Sequence, residues 1–314
     1  MAEMAGQALP EQPLPEPVVR VEGARELAPD VIVIPDEGVR LVPNIGIIGG
    51  RDAVLVVDTG MGTRNAEAVL EFAADHARGR RLYLTSTHFH PEHAFGAQAF
   101  AGAATYLVNR AQAEDLRDRG PGYLEMFRRL GAPVARRLEG VVLARPDLVY
   151  DRTHDLDLGG RVVRLRATGR AHSRGDQVVS VPDADVLFTG DLVEAGQFAI
   201  FPWFPPHDTD VSGTRWLAVM RRLAERSPRT VVPGHGAVGG PQLLADVRDY
   251  LELLRHETWL RRDSAVGEQT IVEEVTALML RRHPEWAGRE WIEKGVGCLC
   301  AEHAQHGGHG PAGH

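Results

Sequence analysis

Short apolar runs separated by turn residues begin near residue 31 and predict the first strands of the chain. The runs cover residues 31–34, 45–48 and 53–57, and Gly49-Gly50 separates the last two. Runs of this length that end at turn residues are typical of strands. We therefore expect antiparallel strands at one edge of a domain.

Helical spacing replaces strand spacing after residue 60. Thr63 is placed to cap a helix whose apolar positions include Ala66, Val69 and Ala73, and Gly79 ends it. The elements predicted next are a strand at 82–87, a short helix at 94–100, a strand at 105–108 and a helical stretch at 110–137 with a break at Gly120-Pro121. We expect the arginine-rich face of that last stretch to be solvated.

The second half of the chain repeats this mixture of strands and helices. Strands are predicted at 162–166, 177–181, 186–189 and 230–232, and helices at 214–226, 241–262 and 268–282. Two halves of similar organisation suggest an α/β protein whose halves pack face to face. The pattern does not by itself establish an internal duplication.

Composition narrows the class of protein. Hydrophobic residues make up 43% and charged residues 25% of the 314, as in an ordinary globular protein. The net charge of -8 argues against a large nucleic-acid-binding face, so a small-molecule partner is expected. No apolar run approaches the roughly 20 residues that a membrane span needs, so no membrane residence is expected.

The compartment is predicted from the cysteines and the first residues. Cys298 and Cys300 are too close together to join separate segments by a disulfide, which fits a reducing environment. The first 20 residues contain acids and prolines and lack the apolar stretch of a signal peptide. Both features predict a cytoplasmic protein.

Histidines and carboxylates recur just past the predicted strands. His88, His90, Glu92 and His93 fall within six residues after one strand. Asp58 precedes this group and His172, Asp176, Asp191 and His235 follow it, each close to the end of a strand. Neutral imidazole and carboxylate oxygen are ligands that zinc and other first-row metals accept. A surface histidine cluster is the alternative for residues 88–93 alone, and the later residues disfavour it.

In order and context these motifs resemble the five motifs of the metallo-β-lactamase superfamily, over roughly residues 31–238. The resemblance implies a four-layer αβ/βα sandwich with additional C-terminal helices and a metal site at one edge. It implies that His88, His90 and His172 bind one metal, that Glu92, His93 and His235 bind another, and that Asp191 bridges them. Asp58 and Asp176 would orient these ligands through hydrogen bonds, although Asp176 is equally consistent with a simple turn carboxylate.

Four segments follow from this resemblance and the composition. They are a disordered N-terminal arm at 1–30, a catalytic domain at 31–240, C-terminal helices packed on it at 241–295, and a mobile tail rich in cysteine and histidine at 296–314.

One ligand departs from the pattern of the family, because this chain has Glu92 where the usual cluster has aspartate. The extra methylene changes the reach of the carboxylate.

We expect two zinc ions, with one metal, iron or manganese as the alternatives. A zinc pair would lower the pKa of a water towards about 7 and supply hydroxide for attack on a carbonyl carbon. Glu92 and Asp191 are the candidate catalytic carboxylates.

Asp191 favours the branches that hydrolyse esters, thioesters or lactones, since β-lactamases usually carry cysteine or serine there. The expected substrate is a small acyl compound.

The alternative functions are a β-lactam hydrolase, a persulfide dioxygenase with one iron, and a metal-binding or storage protein that uses the tail. The ligands of that tail would be Cys298, Cys300, His303, His306, His309 and His314. The oligomeric state is left open, and a dimer is compatible with the sequence.

An aromatic segment follows Asp191 closely. It contains the candidate substrate-binding residues Phe198, Phe201, Trp203, Phe204 and His207. A mostly apolar wall near the metals is typical of small-ligand sites. The alternative is that Phe198, Phe201 and Trp203 belong to the core and the prolines stiffen a loop.

Overall fold

Two β-sheets form the centre of the protein. The computed structural model describes residues 14–307, with side chains through residue 305. The first sheet has seven strands in chain order: β1 (Arg25–Ala28), β2 (Val31–Ile34), β3 (Ile45–Gly49), β4 (Ala53–Val57), β5 (Arg81–Thr85), β6 (Ala104–Asn109) and β7 (Leu148–Tyr150). Pairing is antiparallel from β1 to β4 and parallel from β4 to β7.

The second sheet has five strands, and strands that are consecutive in the chain are neighbours in the sheet. They are β8 (Thr153–Asp157), β9 (Val162–Ala167), β10 (Gln177–Val181), β11 (Val186–Glu194) and β12 (Thr230–His235). Strands β8 to β11 pair antiparallel, and β11 pairs with β12 in parallel. The parallel pair carries Asp191 and His235 towards the same end of the sheet.

Helices cover the outer face of each sheet. Those over the first sheet are α1 (Gly62–Ala77), α2 (Pro91–Ala94), α3 (Arg110–Asp118), α4 (Gly120–Arg128) and α5 (Ala132–Arg137). Those over the second are α6 (Gly213–Ala224), α7 (Gln242–Asp263), α8 (Glu268–Arg282) and α9 (Glu290–Gly307). The layers run helix, sheet, sheet, helix, so the predicted αβ/βα sandwich with C-terminal helices is confirmed.

Alternation along the strands accounts for this stack. In β4, Val54 and Val56 face the helices, whereas Leu55 and Val57 face the second sheet. Successive side chains of a strand point to opposite faces, so an unbroken apolar run serves two cores at once. The 53–57 run in the sequence therefore marks a strand covered on both faces.

The structure corrects the predicted arm and tail. Leu14 and Val19 are buried against the helices of the first sheet, and β1 lies within the predicted arm, so the prediction of disorder is wrong for residues 14–30. Residues 1–13 lie outside the described part. The prediction of a mobile tail is wrong for residues 296–307, which continue α9. The side chains of His306, His309 and His314 lie outside the described part.

Within residues 14–307, no helix combines the length and the apolar character that crossing a membrane requires.

Candidate metal centre

Three buried histidines converge at the edge where the two sheets meet. His88 Nε2 and His172 Nε2 each lie 3.0 Å from His90 Nδ1. His88 and His90 follow β5, and His172 follows β9. Tetrahedral zinc with bonds of about 2.0–2.1 Å would hold its nitrogen ligands about 3.3 Å apart. These two distances are close to the separation that one zinc ion requires, and all three nitrogens, which we call the first cluster, lie within 4.8 Å of one another.

A second cluster lies beside the first. It consists of Glu92, His93, Asp191 and His235, each offering one ligand atom within 4.8 Å of the others. His93 Nε2 is 3.2 Å from Asp191 Oδ1, and His235 Nε2 is 3.6 Å from Asp191 Oδ2. All four residues are buried. The set offers two nitrogens and two carboxylates to a cation.

Asp191 faces both clusters. Its Oδ2 lies 3.8 Å from His88 Nε2 and 3.8 Å from His172 Nε2, while Oδ1 faces His93. One carboxylate thus lies between the two sets of nitrogens, as a bridging ligand requires.

Hydrogen bonds on the far side of the histidine rings fix their orientation. His93 Nδ1 pairs with Asp58 Oδ2 at 2.9 Å, and backbone carbonyls of Ile200 and Val42 accept from Nδ1 of His172 at 2.9 Å and of His235 at 2.8 Å. Each bond places the proton on Nδ1 and directs the lone pair of Nε2 into the site. Such bonds select the tautomer that ligates a metal.

Asp58 also holds the loop that carries the first histidines. Its Oδ1 accepts the backbone N–H of Thr87 at 2.7 Å, and the Thr87 hydroxyl lies 3.2 Å from His88 Nδ1. The backbone of Asp58 has φ of +68°, a conformation that non-glycine residues seldom adopt. The side-chain bonds offset this strain and join β4 to the 86–93 loop.

Asp176 acts on the turn that follows His172. Its carboxylate accepts the backbone N–H of Ser173 at 3.0 and 2.8 Å and the Ser173 hydroxyl at 2.5 Å. Burial raises the pKa of Asp176 to about 8, although the bonds from Ser173 oppose the rise. Asp176 touches none of the clustered ligand atoms in these hydrogen bonds, so any effect on His172 passes through the turn.

Burial and nearby charges shift the pKa values of the ligand residues in different directions. Burial lowers the pKa of His88, His90 and His172, which keeps these rings neutral and free to bind a metal. Burial also acts to lower the pKa of His93, but Asp191 and Asp58 outweigh it and raise that pKa. Burial works against ionisation of Asp191, yet the surrounding histidines hold its pKa well below the usual range. Burial raises the pKa of Glu92.

Unpartnered atoms indicate that the second cluster fits a cation. Glu92 Oε2, His93 Nε2 and Asp191 Oδ1 are buried and have no hydrogen-bond partner, since the close approach of His93 and Asp191 lacks hydrogen-bond alignment. A buried polar group left without a partner costs about 1–3 kcal/mol. Three such atoms in one cluster form a costly arrangement that one metal ion would satisfy.

Gly234 provides a steric test of where Asp191 lies. A Cβ added at Gly234 would fall 1.9 Å from Asp191 Oδ1, so Gly234→Ala must displace the carboxylate or the strand. We expect this change to lower hydrolysis by at least about 100-fold, because misplacing a group in an active site by about 1 Å has an effect of that size. Steady-state rates and metal content measure it. Gly240→Ala is the matched control, since its nearest neighbour would lie at 3.6 Å, and equal activity of the two variants would contradict this position of Asp191.

An open cavity of about 430 Å³ adjoins the second cluster, and Glu92 and His235 form part of its wall. Three segments supply most of the remaining wall: Asp36 with the 38–41 loop between β2 and β3, residues 195–197 with Ile200 after β11, and the start of α9 with the residues just before it. The lining residues of the last segment are Ala287, Gly288, Glu290 and Trp291, and Gly236 completes the wall. The lining mixes apolar side chains with a few charged ones. We call this space the site cavity.

The aromatic segment after Asp191 lies elsewhere, and the five candidate substrate residues are absent from the lining of the site cavity. Phe198 and Phe201 have no exposed surface and pack in the core between the second sheet and the C-terminal helices. Trp203 packs against that core, Phe204 lies under the Lys294 ammonium at 5.4 Å, and His207 is exposed. The segment is therefore part of the core and a loop and not an apolar wall of the site cavity. The physical reason is that its aromatic rings pack against the apolar faces of the C-terminal helices.

Sequence patterns missed two groups that support the histidines. Tyr123 stacks on His90 with ring centroids 4.9 Å apart, and its hydroxyl donates to Asp208. Arg119 also pairs with Asp208 and lies 5.0 Å over the ring of Phe89. Arg119 is thus largely buried, contrary to the solvated face expected for the 110–137 stretch. Tertiary packing alone brings α3 and α4 beside His90, and no local spacing signals it.

Glu194 is the second group that was missed. Its Oε1 accepts the backbone N–H of Ile200 at 3.3 Å, and the carbonyl of Ile200 accepts from His172. Burial, together with the nearby Asp191 charge, raises the pKa of Glu194 well above its usual range. The strand predicted to end at 189 continues to Glu194, which places this carboxyl inside the protein.

The cysteines of the predicted tail do not form a metal site with the described histidine. Cys298 and Cys300 are buried in the C-terminal core, and His303 pairs instead with Asp263 at 2.8 Å. Burial raises the pKa of Cys298 to about 12 and of Cys300 to about 11, which disfavours the thiolate form that binds metals. Among the described residues, these groups lend no support to a storage role.

The chain is similar in sequence and in fold to known proteins. The family model described as the metallo-beta-lactamase superfamily matches residues 38–235. Acyl-coenzyme A thioesterase MBLAC2 from Bos taurus is 29% identical over 221 residues, covering 64% of this chain and 75% of the relative. Metallo-beta-lactamase type 2 from Bacteroides fragilis is 24% identical, covering 69% of this chain and 80% of that protein.

Among solved structures, a metallo-beta-lactamase from Pontibacter korlensis superposes with a TM-score of 0.59 at 18% identity, covering 73% of this chain and 98% of that one. That likeness concerns the fold. The family match extends over well more than half of the chain and includes every member of the two clusters. The chain therefore belongs to the metallo-β-lactamase superfamily, and it is a metal-binding hydrolase of that superfamily.

Proposed function

We propose that the protein hydrolyses thioesters, with acyl-coenzyme A compounds as the substrate class, and that it uses two zinc ions. The observation that carries this proposal is the similarity to acyl-coenzyme A thioesterases over 221 residues, on a chain whose two clusters are complete. The reaction adds water across the acyl–sulfur bond, giving a carboxylic acid and a free thiol.

The roles of the ligand residues follow from their positions. His88, His90 and His172 would hold one ion, and Glu92, His93 and His235 the other, with Asp191 between them. When bound, the ions would supply a water of lowered pKa and Lewis acidity for the carbonyl oxygen. Asp58 keeps His93 oriented through its 2.9 Å bond.

Glu92 is the carboxylate best placed to move a proton. It lines the site cavity, and its Oε2 has no other partner. Burial raises the pKa of Glu92, which is the direction that favours proton uptake by its carboxylate. In this proposal Glu92 accepts a proton as water adds and returns it to the departing sulfur.

A substrate panel tests the proposal. The purified protein would be given an acyl-coenzyme A, a lactone and a β-lactam, each with zinc and again after chelation, while oxygen uptake is followed with a persulfide. We expect thiol release from the acyl-coenzyme A that stops on chelation and returns with zinc. His88→Ala and His235→Ala, each in a different cluster, should both lose this activity without unfolding.

The other outcomes separate the alternatives. Opening of the β-lactam without thiol release would make the protein a β-lactam hydrolase, and oxygen uptake with iron bound would make it a sulfur oxygenase. Either result would overturn the proposed function. The same assays after reconstitution with iron or manganese show which metal supports the reaction, separately from which substrate is turned over.

A further inference from the structure

The C-terminal layer contributes one wall of the site cavity. Ala287, Gly288, Glu290 and Trp291 line it together with the 38–41 loop, and they lie beyond residue 235, where the family match ends. This wall therefore belongs to the part of the chain after residue 235, the C-terminal extension, and it borders the same cavity as Glu92. The substrate preference of this chain should depend on what that extension places at the mouth.

Backbone hydrogen bonds fix this wall to the loop after Asp191. Ala287 N donates to Gly196 O at 3.0 Å, and Phe198 N donates to Ala287 O at 3.0 Å. Gly288 then turns with φ of +75°, which glycine adopts without strain, and α9 begins at Glu290. The position of Glu290 at the mouth is thus set by the strand-like pairing of 196–198 with Ala287.

A weak ion pair joins the two walls. Arg40 Nη2, on the 38–41 loop, lies 3.6 Å from Glu290 Oε1, and the two side chains are 55% and 54% exposed. Exposed pairs of this kind contribute about 0–1 kcal/mol. A ligand that offers Arg40 a better anion can therefore displace Glu290 at little cost.

The other charged side chains of the described lining are already engaged. Asp36 accepts backbone N–H groups from Gly38 at 3.1 Å and Gly236 at 2.7 Å. Glu92 and His235 belong to the second cluster. Among the described lining residues, Arg40 is the permanent cation, and it has only Glu290 as an ion-pair partner there.

We propose that Arg40 recognises an anionic group on the thiol carrier of the substrate, and that Glu290 is the competitor which this group displaces. The inference rests on the proposed thioester hydrolysis. A guanidinium forms two parallel hydrogen bonds with a phosphate or carboxylate, which gives both affinity and orientation. The carrier would cross the mouth at Arg40 while its acyl end reaches Glu92 and His235. Specificity thus arises where the C-terminal extension meets the 38–41 loop.

Opposite effects of two substitutions test this mechanism. Arg40→Gln should raise KM for an acyl-coenzyme A roughly tenfold, the size of one lost charged hydrogen bond. Glu290→Gln should lower that KM, because the competing carboxylate is gone. Arg51→Gln is the matched control, since Arg51 is 76% exposed and paired with Asp52 away from the cavity. It should behave as the unaltered protein.

The carrier is varied to identify the anion. The same acyl group is presented on coenzyme A, on glutathione, whose anions are carboxylates, and on neutral N-acetylcysteamine. Arg40→Gln should lower the ratio of kcat/KM for an anionic carrier to that for the neutral one roughly tenfold. A larger loss with coenzyme A identifies phosphate as the partner, and a larger loss with glutathione identifies carboxylate. An equal loss on all three carriers would overturn the proposal, because it would mean a structural effect.

Binding separates this inference from the proposed reaction. Desulfo-coenzyme A lacks the sulfur that could ligate a metal, and its affinity for the zinc-loaded protein can be measured by calorimetry. Affinity that falls with Arg40→Gln and rises with Glu290→Gln would support the recognition site even if no thioester is cleaved. Affinity that neither variant changes, or the absence of binding, would overturn the recognition site even if thioesters are cleaved.

Discussion

Replacing Asp191 with asparagine is expected to abolish hydrolysis and to reduce metal content from two ions to at most one. Asp191 is the carboxylate that faces both clusters, with Oδ2 3.8 Å from His88 and from His172 and Oδ1 3.2 Å from His93. Asparagine keeps the shape but removes the charge that offsets two cations. Loss of a bridging charge should lower kcat/KM at least about 1,000-fold.

Elemental analysis and steady-state kinetics measure this effect. Asp183→Asn is the matched control, because Asp183 is 50% exposed and pairs with Arg161 far from the clusters. It should retain both ions and full activity. Circular dichroism shows whether each variant has folded. Two bound ions and undiminished turnover in folded Asp191→Asn would mean that Asp191 bridges nothing.

Glu92→Gln is expected to lose the second ion selectively. Glutamine fills the same volume but offers a neutral oxygen in place of the buried carboxylate, whose Oε2 has no other partner. Removing a metal ligand should weaken that ion at least about 100-fold, more than the loss of a supporting hydrogen bond does. Competitive chelator titration measures the two affinities separately, and thiol release should fall with the second ion.

Glu92→Asp is the companion variant, since it restores the ligand that the superfamily usually carries. The carboxylate is kept and shortened by one methylene, so the second-ion affinity should change measurably while the ion remains bound. An affinity equal to that of the unaltered protein in both variants would show that Glu92 is not a ligand. Activity retained in Glu92→Asp but lost in Glu92→Gln would support the proton-transfer role as well.

The features predicted from sequence were those with local signals. An alternating or continuous apolar run marks a strand wherever it is buried, so the runs at 31–34 and 53–57 identified β2 and β4. Histidines and carboxylates just past such runs then fall at one edge of the layered sheets. The structure brings all seven predicted ligands into the two clusters at this edge.

The features that were missed depend on contacts distant in sequence. β8 presents Thr153 and Asp155 to solvent, so its sequence carries little apolar signal. Phe198 and Phe201 were ambiguous because an aromatic run can line a pocket or fill a core, and only the packing of α7 to α9 decides it. Cys298 likewise lies in a helix that sequence reasoning took for a tail.

The site's supports were hidden for the same reason. Tyr123 reaches His90 only because α4 packs beside the 86–93 loop. Arg40 meets Glu290 across 250 residues of intervening sequence, at the mouth of a cavity whose third wall no motif predicts. The metal ligands could be identified from sequence because they directly follow predicted strands. The sequence pattern does not indicate which distant segment packs over those ligands.

Anomalous diffraction at the zinc absorption edge, on crystals of the protein purified with zinc, tests the binuclear site most directly. Two peaks are expected, one among His88, His90 and His172 and one among Glu92, His93 and His235, with Asp191 between them. Zinc bound elsewhere, with neither cluster occupied, would contradict the proposed metal centre and the hydrolysis proposed to depend on it.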